Sequence, residues 1–150
     1  MRITTKGRYA LRASLALAKL GKSNELVSIN SISKTENLSP IFLEQIFFNL
    51  KKAGLVKSVR GPGGGFNFAI QPEQLTVKEI LEAAGEVLEA GYCDKHNQTC
   101  DRLAGGCKSH RVWMRVSELI NDYFRNMTLA SLLEDDNAVM DNSEYEPSKT

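Results

Sequence analysis

The stretch Ser58-Val59-Arg60-Gly61-Pro62-Gly63-Gly64-Gly65-Phe66 decides how this chain reads. Short apolar runs flank it, Leu55 to Val59 before and Phe66 to Ile70 after, which predicts two strands returning around a glycine-rich tip. Glycine runs also cradle phosphates, but no Gly-Lys-Ser/Thr follows and no helix opens behind this one. A two-stranded wing fits better. Its slim tip carries Arg60, and a narrow minor groove, with its negative potential, favours arginine.

Immediately upstream, Ser39 is placed to cap a helix, Pro40 suits its first position, and Leu38 with Leu43 can form a hydrophobic staple. Leu43, Ile46, Phe47 and Leu50 recur at helical spacing as a buried stripe. Lys51 and Lys52 favour the negative end of the helix dipole, and Gly54 stops the helix. A shorter helix precedes it, opening after Ser28, with Ile29 and Ile32 inward and Asn37 as the left-handed closing residue. Two short helices joined by a tight turn make a helix-turn-helix. The first helix is expected from about 5 to 20, with Tyr9, Leu11, Leu15, Leu17, Ala18 and Leu20 on its apolar face and Gly21 where a C′ glycine belongs.

Beyond the wing, Thr76 can cap a helix running to about Ala84, and 91–106 reads as loop. From about Ser109 a long helix carries Val112, Val116, Leu119, Ile120, Tyr123, Phe124 and Met127 as one continuous stripe. It follows a reading module that is already complete, so a dimerisation helix is as good a reading as core. Thr128 is placed to cap a last short helix ending near Leu133, and 134–150 is acidic, aperiodic and expected to be disordered. The fold class is therefore mainly α: a winged helix-turn-helix with a long C-terminal dimerisation helix.

The overall charge of +1 hides a segregation. Residues 1–70 carry eleven Lys/Arg against three Glu, a net of +8, and 71–150 carry eight against fifteen acidic residues, a net of −7. The basic half calls for a polyanion. No apolar run approaches the roughly 18–20 residues that span a bilayer, and Met1-Arg2-Ile3-Thr4-Thr5-Lys6 leads into an amphipathic helix rather than a signal-peptide core. A cytoplasmic protein without membrane contact is expected, where thiols stay reduced and clustered cysteines serve metal or redox chemistry.

All three cysteines lie in one window with both histidines, and the candidate ligands there are Cys93, Cys100, Cys107 and His110, spaced Cys-x6-Cys-x6-Cys-x2-His. Thiolate and imidazole suit zinc and iron alike. Structural zinc sites often use Cys-x2-Cys knuckles, which are missing, whereas iron–sulfur ligation tolerates looser spacing and can include histidine. Spacing alone leaves iron–sulfur, zinc and thiol-only redox sensing open. His96 reads as a solvent-facing loop residue. A thiol enzyme would need a base and an orienting third group in a nucleophile motif, and none surrounds these residues.

The segments 1–10, Leu43-Glu44-Gln45-Ile46-Phe47, 54–66, the cysteine/histidine set and 127–133 together resemble the bacterial winged-helix repressors of the Rrf type, in particular those regulating iron–sulfur cluster assembly. The resemblance runs through about residue 133. It implies a homodimer crossed by its long helices, each subunit holding a 2Fe–2S cluster through Cys93, Cys100, Cys107 and His110. The cluster-assembly machinery would be the donor, double-stranded DNA with palindromic operators the target, and cluster-assembly genes the regulated set. Position by position, Ser39, Glu44 and Gln45 match the base-reading part of the recognition helix, and Arg60 matches the minor-groove arginine. The wider DNA-contacting set is expected to be Arg2, Lys6 and Ser28 before that helix, Asn49 and Lys52 at its end, and Ser58, Gly61 and Gly63 in the wing. The implied division is a DNA-binding domain over 1–84, a cluster-binding loop over 85–110, dimerisation and C-terminal helices over 111–133, and the tail 134–150.

Each inter-cysteine gap is one residue longer than in the best-known relatives, and Ile41, Phe48 and Asn49 stand where more polar or basic groups are expected. Other branches of the family sense nitric oxide or redox state through a related shell. A zinc-stapled interaction module is the remaining reading from a different class.

Overall fold

Four side chains on one stripe of the third helix, Leu43, Ile46, Phe47 and Leu50, are at most 1 % exposed and form the centre of the core. The computed structural model describes residues 1–90 and 107–135. Helix α1 spans Thr5–Leu20, α2 Ile29–Glu36, α3 Pro40–Lys52, strand β1 Val56–Val59, β2 Gly65–Phe68, α4 Val77–Ala83, α5 Lys108–Asn126 and α6 Leu129–Glu134. Cys93 and Cys100, and nearly all of the expected acidic tail, lie outside the described residues.

The helix-turn-helix forms as its sequence dictates. Asn37 closes α2 at φ 53°, in the left-handed region. The Ser33 hydroxyl donates to the Leu38 carbonyl at 2.6 Å, and the Leu38 N–H donates to the Ser33 carbonyl at 3.2 Å, fixing the turn. Gly54 ends α3 at φ +77°, where a Cβ would be strained. One expectation fails: Ser39 sits at the N-cap but makes no side-chain capping bond. Pro40 presets the first turn and the buried Leu38 fixes the entry of the chain, so the hydroxyl stays on the outer surface.

The wing is a two-stranded antiparallel ribbon in register from Val56↔Phe68 to Val59↔Gly65. At its tip the Gly64 N–H donates to the Gly61 carbonyl at 2.9 Å, with Pro62 and Gly63 central and Gly63 at φ +71°. That is the chemistry of a type II turn, with proline first and a positive-φ glycine second. Val27 adds a third, one-residue strand. Its N–H donates to Phe66 O at 2.9 Å and its carbonyl accepts from Phe66 N–H at 2.8 Å, docking the wing onto the loop before α2.

Helix α1 is helical where expected, with Leu17 buried as expected, but the centre of its inward face is shifted onto small residues. Its buried residues are Gly7, Ala10, Ala13, Ser14, Ala16 and Leu17, while Tyr9, Leu11, Leu15 and Ala18 sit half-buried at the edges and Leu20 is exposed. The reason is crowding, since α1 touches α2, α3, α4 and α6, and small side chains allow that approach. Gly21 ends the helix at φ −87°, outside the left-handed region. Close approach explains this glycine instead: a Cβ there would lie 2.9 Å from the Leu17 carbonyl oxygen.

The first turn of α1 contains no acidic residue. The missing anion arrives from a distance. The buried carboxylate of Glu86 accepts from the Thr4 N–H at 3.2 Å, the Gly7 N–H at 3.1 Å and the Thr4 hydroxyl. It thereby satisfies orphan donors of the helix and opposes the positive end of its dipole.

Thr76 caps α4 in a capping box with Glu79, and Thr128 caps α6. The long helix α5 packs on α4, and its expected stripe is divided. Phe124 and Met127 turn inward against Val77, Leu81 and Leu88. Val112, Leu119 and Tyr123 face out at 54 %, 53 % and 63 % exposure. Two bonds pin the chain before the cysteine window onto α5: Ala90 N–H to Ser117 Oγ at 2.9 Å, and Asn121 Nδ2 to the Leu88 carbonyl at 2.8 Å. At its far end Val77 N–H donates to Met127 O at 2.9 Å and Leu129 N–H to Leu75 O at 2.8 Å, and Leu129 is fully buried in the same core as α3. No described helix is long and apolar enough to cross a membrane.

Candidate nucleic-acid interface

With one stripe of α3 committed to the core, its opposite face is left to solvent. Ser39, Ile41, Glu44, Gln45, Phe48 and Lys52 are all exposed, and Asn49 is half-buried. A shallow hollow beside this face is lined by Lys6, Ile41, Glu44, Gln45, Phe48 and Asn49. A second, between α3 and the wing, is lined by Glu44, Phe48, Lys51, Ser58, Val59, Arg60, Gly65 and Phe66. Glu44 and Phe48 belong to both, so the surface is continuous from the start of α1 to the wing. It brings together Lys6, Glu44, Gln45, Asn49, Ser58 and Arg60 of the expected set.

The remaining members fall nearby with different roles. Arg2 and Lys52 are exposed, and Gly61 and Gly63 shape the tip beyond Arg60 through positive φ values of 98° and 71°. Ser28 is already used, since its hydroxyl accepts from the Ser31 N–H at 3.1 Å as the cap of α2. Arg12 is committed to the scaffold: its guanidinium bonds the Glu36 carboxylate at 3.0 Å and the Glu36 carbonyl at 2.7 Å, tying α1 to α2.

Lys51 joins this surface although the sequence assigns it only to the helix dipole. Its Nζ donates to the Ser58 hydroxyl, latching the end of α3 to the first wing strand. A signal exists, because Lys51 stands seven residues after Glu44, two turns along the same face. Val27 has no such signal, since a single bridging residue leaves no alternation to read.

The cysteine window shows its C-terminal half. Cys107 is the N-cap of α5 and His110 lies in its first turn. The Cys107 thiol is 3.1 Å from the Ser109 hydroxyl. Nδ1 of His110 is buried without a hydrogen-bond partner among the described residues. Among the described residues no three His, Cys, Asp or Glu side chains cluster as a metal site.

A winged helix-turn-helix joined to a cysteine/histidine window narrows the family, and direct comparison decides it. A family model described as an iron-dependent transcriptional regulator, Rrf2, matches residues 3–135. The chain belongs to the Rrf2 family. It is 39% identical over 137 residues to an HTH-type transcriptional regulator of Neisseria meningitidis, spanning 91% of this chain and 90% of that one. It is 38% identical to the HTH-type transcriptional regulator IscR of Vibrio cholerae, over 90% of this chain and 76% of that one. Among solved structures, IscR of T. potens superposes with a TM-score of 0.70 at 29% identity, covering 98% of this chain and 93% of that one. CymR, the global cysteine regulator of B. subtilis, gives 0.73 at 29% identity, over 89% and 97%.

These Rrf2 relatives bear out the resemblance read from the sequence, and with it the winged-helix fold class. The chain is a transcriptional regulator and not an enzyme. Membership of a family of transcriptional regulators implies DNA binding, and a winged helix-turn-helix can place a helix in the major groove.

Proposed function

We propose that this Rrf2 regulator senses iron–sulfur cluster status and controls cluster-assembly genes, working as a homodimer on palindromic operators. Each subunit would hold a 2Fe–2S cluster through Cys93, Cys100, Cys107 and His110. The observation that carries this reading is the His110 ring, whose Nδ1 is buried with no hydrogen-bond partner among the described residues, in the same helical turn as Cys107. An unsatisfied buried nitrogen costs about 1–3 kcal/mol unless something binds it, and a soft metal centre beside a thiol is the binder that this donor set suits. The relatives named IscR support the same assignment.

When bound, the cluster supplies a charge and a bonding requirement that pull on its ligands. The chain's own part is mechanical. Cys107 and His110 would tie one side of the ligand shell to the first turn of α5. On the other side, the bonds from Ala90 to Ser117 and from Asn121 to Leu88 fix the chain leading into the window. Glu86, in that same leading segment, holds the N-terminus of α1. Glu44 sets which operators are tolerated, since a carboxylate accepts from cytosine N4 and is penalised opposite other acceptors.

The test is anaerobic purification, a visible absorption spectrum, and iron, sulfide and zinc quantified on the same sample. A red-brown protein with about two iron and two sulfide per subunit is expected, with colour and iron lost in His110→Ala. A colourless sample holding stoichiometric zinc after reconstitution would move the window to a structural role.

A further inference from the structure

Two large apolar side chains stand in the reading face with no role in the fold. Ile41 is 72 % exposed and Phe48 is 65 % exposed, while the core stripe of α3 lies on the opposite side. The spacing 41, 44/45, 48 places them one turn before and one turn after Glu44 and Gln45 on a single face. Lys6 and Asn49 share their hollow, and Phe48 continues to Lys51 and Arg60 at the wing. A protein-docking patch would extend as a contiguous apolar area, whereas this one is interrupted by a carboxylate and an amide and ringed by cations. The surroundings fit DNA, and on the major-groove edge of DNA the apolar group is the thymine 5-methyl.

We propose that Ile41 and Phe48 are specificity-determining residues that read thymine methyl groups on either side of the bases read by Glu44 and Gln45. Seven residues of helix advance about 10.5 Å, close to three base steps of about 3.4 Å. The expected half-site therefore has a cytosine-containing centre for Glu44, bracketed by thymines about three steps apart. Hydrophobic contact replaces the hydrogen bonds that polar or basic side chains at these positions would make. The operator of this protein then differs from that of a relative carrying polar groups there, although Glu44 and Gln45 stay the same. This inference rests on the DNA-binding reading of the α3 surface, and its test separates the two.

An operator is first selected from random-sequence duplexes with the whole protein as purified anaerobically. Failure to enrich any sequence would count against the DNA reading itself. On the enriched operator, each thymine is replaced singly by deoxyuridine, which removes the methyl and leaves every hydrogen-bonding group. At the two bracketing positions affinity is expected to fall about fourfold each, the value of one buried methyl group. Thymines elsewhere should be insensitive. Phe48→Ala and Ile41→Ala, both surface changes, should bind the thymine and uracil duplexes equally at their own position and keep the uracil effect at the other. Tight binding to an enriched operator with no uracil position costing more than experimental scatter overturns the proposal and leaves DNA binding intact. So does a uracil effect that persists unchanged in both variants.

Discussion

The carboxylate of Glu86 at the start of α1 allows a prediction in which one substitution reverses its sign. Glu86→Ala removes bonds to the Thr4 N–H at 3.2 Å and the Gly7 N–H at 3.1 Å, together with the Thr4 hydroxyl. Bonds to a charged partner contribute about 1.5–3 kcal/mol each. The Gly7 N–H keeps a weaker partner in the Thr4 hydroxyl at 3.3 Å, so the loss should total about 3 kcal/mol. Gly7→Ala should cost nearly as much by another route. A Cβ on Gly7 would lie 2.5 Å from Glu86 Oε1 and 2.6 Å from its Cγ, so the carboxylate must leave. The helix-forming gain of alanine returns up to about 1 kcal/mol, for a net loss of about 2 kcal/mol. In the Glu86→Ala background the obstacle is gone and only the gain remains, so Gly7→Ala should stabilise by up to about 1 kcal/mol. Urea unfolding of the four proteins at one fixed protein concentration measures the cycle. If Gly7→Ala destabilises equally in both backgrounds, the carboxylate does not hold the helix as described.

Three further outcomes are expected. Arg60→Ala should weaken operator binding and flatten its salt dependence, reducing the slope of log affinity against log salt by up to about 0.9 for each phosphate that the guanidinium neutralises. An unchanged slope in a titration series would remove Arg60 from the DNA-binding surface. Glu44→Ala should leave the unfolding free energy within about 0.5 kcal/mol of wild type while letting the cluster-free protein bind cluster-dependent sites. A competition assay showing unaltered selectivity would contradict the role given to Glu44. Phe47→Ala should cost about 3–5 kcal/mol and loosen the wing, because its ring packs 4.8 Å from Phe66. Hydrogen exchange should then accelerate at the Val27 and Phe66 amides.

What the sequence discloses, and what it withholds, follows from the range of each interaction. Helix α3 is legible down to its buried stripe because Leu43, Ile46, Phe47 and Leu50 are large, regularly spaced and bounded by Pro40 and Gly54. The wing is legible because its tip needs positive φ, which glycine advertises. The inward face of α1 misleads because hydrophobicity ranks leucine above alanine, whereas a helix packed on several neighbours selects for smallness at Ala10, Ala13 and Ala16. Ser39 has the pattern of a cap, and that local pattern does not show that Pro40 and Leu38 already fix the turn. Glu86 is invisible, since its partners lie 79 and 82 residues away. In the candidate site, Glu44, Gln45 and Arg60 stand out, while the latch from Lys51 to Ser58 does not. The cysteine window is found by spacing, and of its four expected ligands Cys107 and His110 lie among the described residues.

The double anchoring of α5 turns this helix into a ruler. Its middle is tied to the segment 88–90 by Ser117 and Asn121, and its end is tied to the reading module through Met127 and Leu129. A partner subunit seated on Val112, Leu119 and Tyr123 would thus be held at a set distance and angle from α3, with little slack inside either subunit. In such a dimer on a two-half-site operator, an error in operator length would have to be taken up by the DNA. One base pair inserted between half-sites would be absorbed by twisting the duplex, and half a helical turn would leave only one half-site gripped.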